Sequence, residues 1–72
     1  MNRDAKNSEV TDNDIKKEAQ VSMMAPNLYR YYTYKNVAKR VLRELKKDTS
    51  GNKWKLSSKK NSNGYYEIIP ER

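Results

Sequence analysis

Residues 34–47 read Tyr-Lys-Asn-Val-Ala-Lys-Arg-Val-Leu-Arg-Glu-Leu-Lys-Lys, and this stretch decides the fold. Its apolar side chains recur three and four residues apart, which is typical of an amphipathic helix with one face against a core. Thr33 is the expected N-cap, and the turn formers of residues 48–52 follow the end of the helix. The apolar positions are Tyr34, Val37, Ala38, Val41, Leu42 and Leu45.

The segments on either side of this helix predict strands. Residues 28–34 contain four Tyr and one Thr, side chains that fit a pleated, half-buried surface. Residues 53–57 alternate lysine with apolar side chains, and residues 65–69 are largely aromatic or β-branched. Between these two segments, residues 61–64 read Asn-Ser-Asn-Gly, which favours a hairpin turn. Pro70 is expected to end the last strand because it cannot donate a ladder hydrogen bond.

These elements predict an α+β fold, in which a small three-stranded antiparallel sheet packs on one amphipathic helix in the order β-α-β-β. This domain is expected over residues 25–72. A winged helix is the alternative, with residues 34–47 as the recognition helix and residues 53–69 as the wing. The expected core consists of Leu28, Tyr34, Val37, Ala38, Val41, Leu42, Leu45, Trp54, Leu56, Tyr66 and Ile68.

Residues 1–24 are expected to form a flexible, mildly acidic tail, disordered over residues 1–10. A weak helix over about residues 12–23 is predicted, because Thr11 or Asp12 can cap it and a thin apolar stripe recurs at helical spacing. Pro26 is expected to end this helix.

Composition excludes several classes of protein. At 72 residues the chain has room for one small domain, and it contains neither Cys nor His. Disulfides, Cys- or His-based metal sites and imidazole general bases are therefore excluded. We expect no enzyme, no cofactor and no metal. No apolar run approaches the roughly 18 residues of a membrane span, so we expect a soluble protein of the cytoplasm.

Charge is spread unevenly along the chain. Residues 25–72 carry twelve basic and four acidic side chains, a net charge of +8, whereas residues 1–24 carry a net charge of −1. Such an excess repels itself unless an anion relieves it. The charge distribution therefore favours a polyanionic partner.

Three sets of residues are candidates for contacting that partner. The polar face of the predicted helix carries a stripe with few acids, able to neutralise phosphates: Lys39, Arg40, Arg43, Lys46 and Lys47. The hairpin turn adds Lys59 and Lys60, suited to a phosphate backbone or a minor groove. Tyr29 and Tyr31, expected to be exposed, and Arg30 could stack on bases or contact their edges.

The leading hypothesis is a non-enzymatic nucleic-acid-binding protein, with DNA favoured over RNA. Its size and charge resemble those of DNA-architectural or excision-type factors of mobile elements and of small host-directed phage proteins, which implies a regulatory or accessory role. The resemblance assigns no role to any residue. The rival hypothesis is a small protein-binding regulator or inhibitor that docks on an acidic surface of a larger protein.

Overall fold

The computed structural model describes residues 2–49 and 51–71, which form two α-helices and one antiparallel sheet. The elements are α1 (Asp12–Met24), β1 (Arg30–Tyr32), α2 (Lys35–Leu45), β2 (Lys53–Leu56) and β3 (Tyr66–Glu71). β3 lies in the centre of the sheet and pairs antiparallel with β1 on one side and β2 on the other. The predicted α+β fold is confirmed. A strand, β1, separates the two helices, where the winged-helix alternative needed a further helix.

α2 forms where the apolar period predicted it and buries most of that stripe. Val37, Ala38, Val41 and Leu45 are at most 1% exposed. The start of the helix differs from the prediction, because Tyr34 is the N-cap and no side chain caps the helix there.

Two predictions about the entry to α2 were therefore wrong. Thr33 does not cap the helix, because its hydroxyl donates a hydrogen bond to the carboxylate of Asp4 instead. Tyr34 is 39% exposed and lies outside the core, since the chain turns into the helix at this residue.

The hairpin pairs its strands so that the expected side chains face α2. Trp54 lies opposite Pro70, and Leu56 lies opposite Ile68. Trp54 and Ile68 are buried, and Leu56 and Tyr66 pack partly buried against the same core. Gly64 ends the connecting turn with a φ of 85°, a conformation that favours glycine.

Pro70 does not end the sheet, because β3 continues through it to Glu71. Ser57 N donates to Glu67 O, so Glu67 turns its backbone toward β2. Successive residues of a strand direct their backbone polar groups to opposite sides. The nitrogen of Pro70, three residues after Glu67, therefore points away from β2, toward the side of β1. On that side the pairing with β1 stops at Ile68, so Pro70 leaves no ladder hydrogen bond unmade.

Residues 2–24 belong to the same packed unit as the rest of the chain. Val10, Ile15 and Ala19 are buried in the common core, and α1 lies against α2. A capping box begins α1, in which Thr11 Oγ1 accepts from Asp14 N at 3.1 Å and Asp14 Oδ2 accepts from Thr11 N at 3.2 Å. The structure thus differs from the expected flexible tail and from a boundary after residue 24, because this segment covers an apolar side of α2.

β1 is shorter than the predicted strand over residues 28–34, and the side chain that this segment buries in the core is not one of those predicted. Leu28, expected in the core, is 62% exposed because it lies in a turn closed by its own N–H and the Ala25 carbonyl. Tyr32, which the core prediction omitted, is 1% exposed. Tyr32, whose side chain points toward α1, is therefore the tyrosine of β1 that fills the core.

Candidate nucleic-acid interface

The exposed side of α2 carries cations along its whole length. Because the core takes one side of the helix, positions three and four residues apart on the other side point into solvent. These positions, called here the α2 basic face, are Lys35, Lys39, Arg43 and Lys46. All four are exposed, and within residues 2–49 and 51–71 none of them forms a salt bridge.

Lys47 borders this face but is paired. Its Nζ lies 3.0 Å from Glu44 Oε2. A pair this exposed contributes little, about 0–1 kcal/mol, so a phosphate can replace the carboxylate at small cost. Lys47 thus remains accessible to an anion at the edge of the face.

Arg40 was predicted on the same stripe but points elsewhere. Its Nη1 donates to the backbone oxygens of Asn7 and Val10 at 3.3 and 2.8 Å and to Asn7 Oδ1 at 3.0 Å. Its Nη2 lies 3.0 Å from Asp12 Oδ1. Arg40 therefore fastens the N-terminal segment to α2 and is separated from the α2 basic face.

Arg30 is also engaged within the molecule. Its Nη2 donates to Glu18 Oε1 at 2.6 Å, and the Tyr32 hydroxyl donates to the same oxygen at 2.8 Å. Glu18 is only 8% exposed, so Arg30 neutralises a nearly buried carboxylate. Removing Arg30 from this contact would leave that charge uncompensated, which disfavours a role in binding phosphate.

The hairpin turn lies at the end of the molecule where α2 begins. Tyr66, which follows the turn, pairs with Tyr32, three residues before α2. Lys59 and Lys60 are exposed in this turn, and the Lys60 ammonium lies 5.8 Å from the centroid of the Tyr66 ring. Both lysines can therefore extend the positive field beyond the N-terminal end of α2.

The exposed tyrosines lie on the opposite side of the molecule from the α2 basic face. Tyr29 and Tyr31 are 49% and 38% exposed, as predicted. Tyr31 alternates with Arg30 and Tyr32, which point toward the helices, so it lies on the outer face of the sheet. The predicted site residues therefore divide between two surfaces.

Two further residues on the outer face were not among the predicted site residues. Tyr65 lies beside Tyr31, with ring centroids 6.5 Å apart and planes tilted by 58°. The Arg3 guanidinium carbon lies 4.9 Å from the centroid of the Tyr65 ring. Alternation along residues 65–69 indicates that Tyr65 lies on the outer side of the sheet, but nothing in the sequence relates Arg3 to a residue so distant along the chain.

A cleft lies at the other end of α2. It has a volume of about 440 Å³ and is lined by Leu42, Leu45 and Trp54, with Lys46 and Lys53 at its rim. Lys46 thus borders both the cleft and the α2 basic face. No group of three or more potential metal ligands occurs among the described residues.

Comparison with known proteins gives no match from which the site could be identified. No family model matches the chain, no curated protein is significantly similar to it, and no solved structure matches its fold. Over the residues that the structure describes, neither helix is long and apolar enough to cross a membrane.

Proposed function

We propose that this chain is a non-enzymatic nucleic-acid-binding protein that holds phosphates on the α2 basic face. The observation that carries the proposal is a helix face with four exposed cations and, among the described residues, no carboxylate paired to any of them. A face built only for solubility normally mixes both signs of charge. Phosphate oxygens would supply the missing counter-charge.

DNA is favoured over RNA because the cations lie on an exposed α-helix. The major groove of B-form DNA admits a helix, whereas the major groove of A-form RNA is too deep and narrow for side chains to read. From Lys35 to Lys46 the face extends about 16 Å at 1.5 Å per residue. Lys47, Lys59 and Lys60 would contact phosphates that flank this helix.

Fluorescence anisotropy with a labelled duplex tests the proposal. The affinity of the unmodified protein should fall steeply as salt is raised, because neutralised phosphates release counterions. The double variant Lys39→Gln, Arg43→Gln should lower the slope of log affinity against log salt by about 2, roughly one for each lost contact. Its affinity should fall alike for duplexes of different sequence, since backbone contacts carry no sequence information.

The matched control is Lys6→Gln, Lys17→Gln, which removes the same charge from exposed positions outside α2. Its salt slope should stay close to that of the unmodified protein. Equal losses in both variants would contradict a site on α2 and indicate an effect of net charge alone.

A complete lack of nucleic-acid binding at low salt would favour a protein partner instead. The observation in favour of that second function is a group of exposed apolar side chains around the end of α1, in which Met24 is 85% and Leu28 is 62% exposed. Exposed apolar patches often mark protein interfaces. A stoichiometric partner retained in a pull-down after nuclease treatment would support it.

A further inference from the structure

The outer face of the sheet is open and aromatic. The helices cover only the inner face, and Tyr31 projects from β1 on the other side. Tyr65 lies next to it, just before β3, with the two ring centroids 6.5 Å apart. Tyr31 and Tyr65, together with Arg3, are called here the aromatic face.

We propose that the aromatic face stacks unpaired bases, so that this protein binds single-stranded nucleic acid in addition to the duplex that can lie on the α2 basic face. This inference rests on the proposed function and adds the class of nucleic acid. Unpaired bases stack on aromatic rings and on guanidinium planes, and each such contact tolerates any base because every base has a π face.

Arg3 is held where such a base would need it. Its backbone oxygen accepts a hydrogen bond from Thr33 N at 3.0 Å, which ties the N-terminal segment to the end of β1. Its guanidinium then lies over the Tyr65 ring. Arg3 thus offers a positive charge and a flat surface beside both tyrosines.

Shallow grooves lie on both sides of Arg3. One, of about 190 Å³, is lined by Arg3, Tyr29, Arg30 and Tyr31. The other, of about 350 Å³, continues from Tyr31 and Tyr65 to Asn61, Ser62 and Asn63 of the hairpin turn. A chain of bases could therefore follow the rings toward the polar groups of the turn, which can bond to base edges.

The charges on this side fit bases at the centre and phosphates at the margin. Glu67, directly opposite Tyr31 in the sheet, places a carboxylate at the centre, which repels a phosphate and accepts from base N–H groups. Lys53 and Lys55 are exposed on the outer face of β2 and offer cations at its edge, with Glu71 opposite Lys53. Such a layout suits splayed bases better than an intact duplex.

A duplex cannot use the aromatic face, because its base faces are already stacked on one another. It is left with the α2 basic face on the other side of the molecule. A single strand is flexible, so one long enough to pass around the molecule can contact both surfaces. Single strands should therefore bind more tightly than duplexes of the same length.

The test compares a short labelled oligothymidylate with a duplex of equal length, using variants Tyr31→Ala and Tyr65→Ala. Each should weaken binding of the single strand by about tenfold, within the range measured for loss of one base–aromatic stack, and leave duplex binding nearly unchanged. Tyr31→Phe and Tyr65→Phe keep the rings and should keep the affinity. Tyr34→Ala is the control, because Tyr34 is as exposed as Tyr31 but lies at the start of α2.

The outcomes separate this inference from the proposed function. Duplex binding that depends on Lys39 and Arg43, together with single-strand binding that is indifferent to Tyr31→Ala and Tyr65→Ala, would overturn this inference alone. Equal losses for single strand and duplex would also overturn it. A lack of binding to either oligonucleotide would overturn both proposals.

Discussion

One carboxylate, Glu18, joins α1 to β1. Its Oε1 accepts hydrogen bonds from Arg30 and Tyr32, which are 12 and 14 residues further along the chain. Because Glu18 and Tyr32 are nearly inaccessible to water, each hydrogen bond satisfies a group that would otherwise be buried unpaired. The cluster therefore fixes how α1 docks, and it withdraws Arg30 from the predicted binding site.

Tyr32 gives this cluster a dependence on pH. Burial, helped by the hydrogen bond to Glu18, raises the pKa of its phenol above the ordinary value of 10.0. The unfolded chain ionises at that ordinary value and the folded chain does not. The stability that Tyr32 contributes is therefore complete below pH 10 and is lost as the pH rises above it.

Tyr32→Phe removes the phenol and keeps the ring. At neutral pH the variant should be less stable than the unmodified protein by about 1 kcal/mol, the net value of a hydrogen bond. This difference in the free energy of unfolding should shrink above pH 10, because only the unmodified protein has a phenol to ionise. Urea unfolding at a series of pH values measures it, and a difference that stays constant through pH 10 would contradict the account.

At the scale of elements, the two helices form for different reasons. α2 has a broad apolar stripe, of which Val37, Ala38, Val41 and Leu45 are at most 1% exposed. α1 has a thin stripe, so its start depends more on the capping box of Thr11 and Asp14. The hydrogen bond from the Thr11 backbone N–H lowers the pKa of Asp14, which shows that the box prefers the ionised carboxylate.

Thr11→Ala should therefore destabilise the protein by about 1 kcal/mol, the usual cost of losing an N-cap side chain. Urea unfolding followed by circular dichroism measures the change. Thr49→Ala, at an exposed position outside the helices, is the control and should change the free energy of unfolding by less than about 0.5 kcal/mol. Equal effects of the two variants would mean that the capping box does not hold α1.

At the scale of the whole molecule, the N-terminal segment crosses from one surface to the other. Arg40 holds it against α2 through Asn7, Val10 and Asp12. Further toward the N-terminus, the segment reaches the end of β1 and delivers Arg3 to the outer face of the sheet. The contacts of Arg40 and the position of Arg3 therefore both depend on how the N-terminal segment packs against the rest of the chain.

Arg40→Gln and Arg43→Gln separate folding from binding, because they make the same substitution on neighbouring turns of one helix. Arg40→Gln should destabilise the protein by about 2 kcal/mol, since several oxygens lose a charged donor. Arg43→Gln should change stability by less than about 0.5 kcal/mol but weaken nucleic-acid binding. Chemical unfolding and anisotropy titration measure the two effects. Similar stability losses in both variants would contradict the clamp role of Arg40.

The sequence by itself determined the elements whose cause is local. The spacing of Val37, Ala38, Val41 and Leu45 fixed α2 and its buried side, and Asn-Gly at residues 63–64 fixed the hairpin. Side chains along a strand alternate between the two faces of the sheet, and this alternation placed Trp54 and Ile68 inside and Tyr31 outside. The exposed positions Lys39, Arg43 and Lys46 follow from that helical period as well.

Only the tertiary structure decided which charged side chains are engaged in contacts within the molecule. Arg40 and Arg43 look equivalent on a helical projection, yet only Arg40 meets the carbonyls of the N-terminal segment. Arg30 meets Glu18, and Arg3 meets Tyr65. These contacts join residues at least a dozen positions apart, and packing rather than local periodicity sets such distances. The physical reason is that a helix or strand period fixes the direction of a side chain, but not what another part of the chain places in front of it.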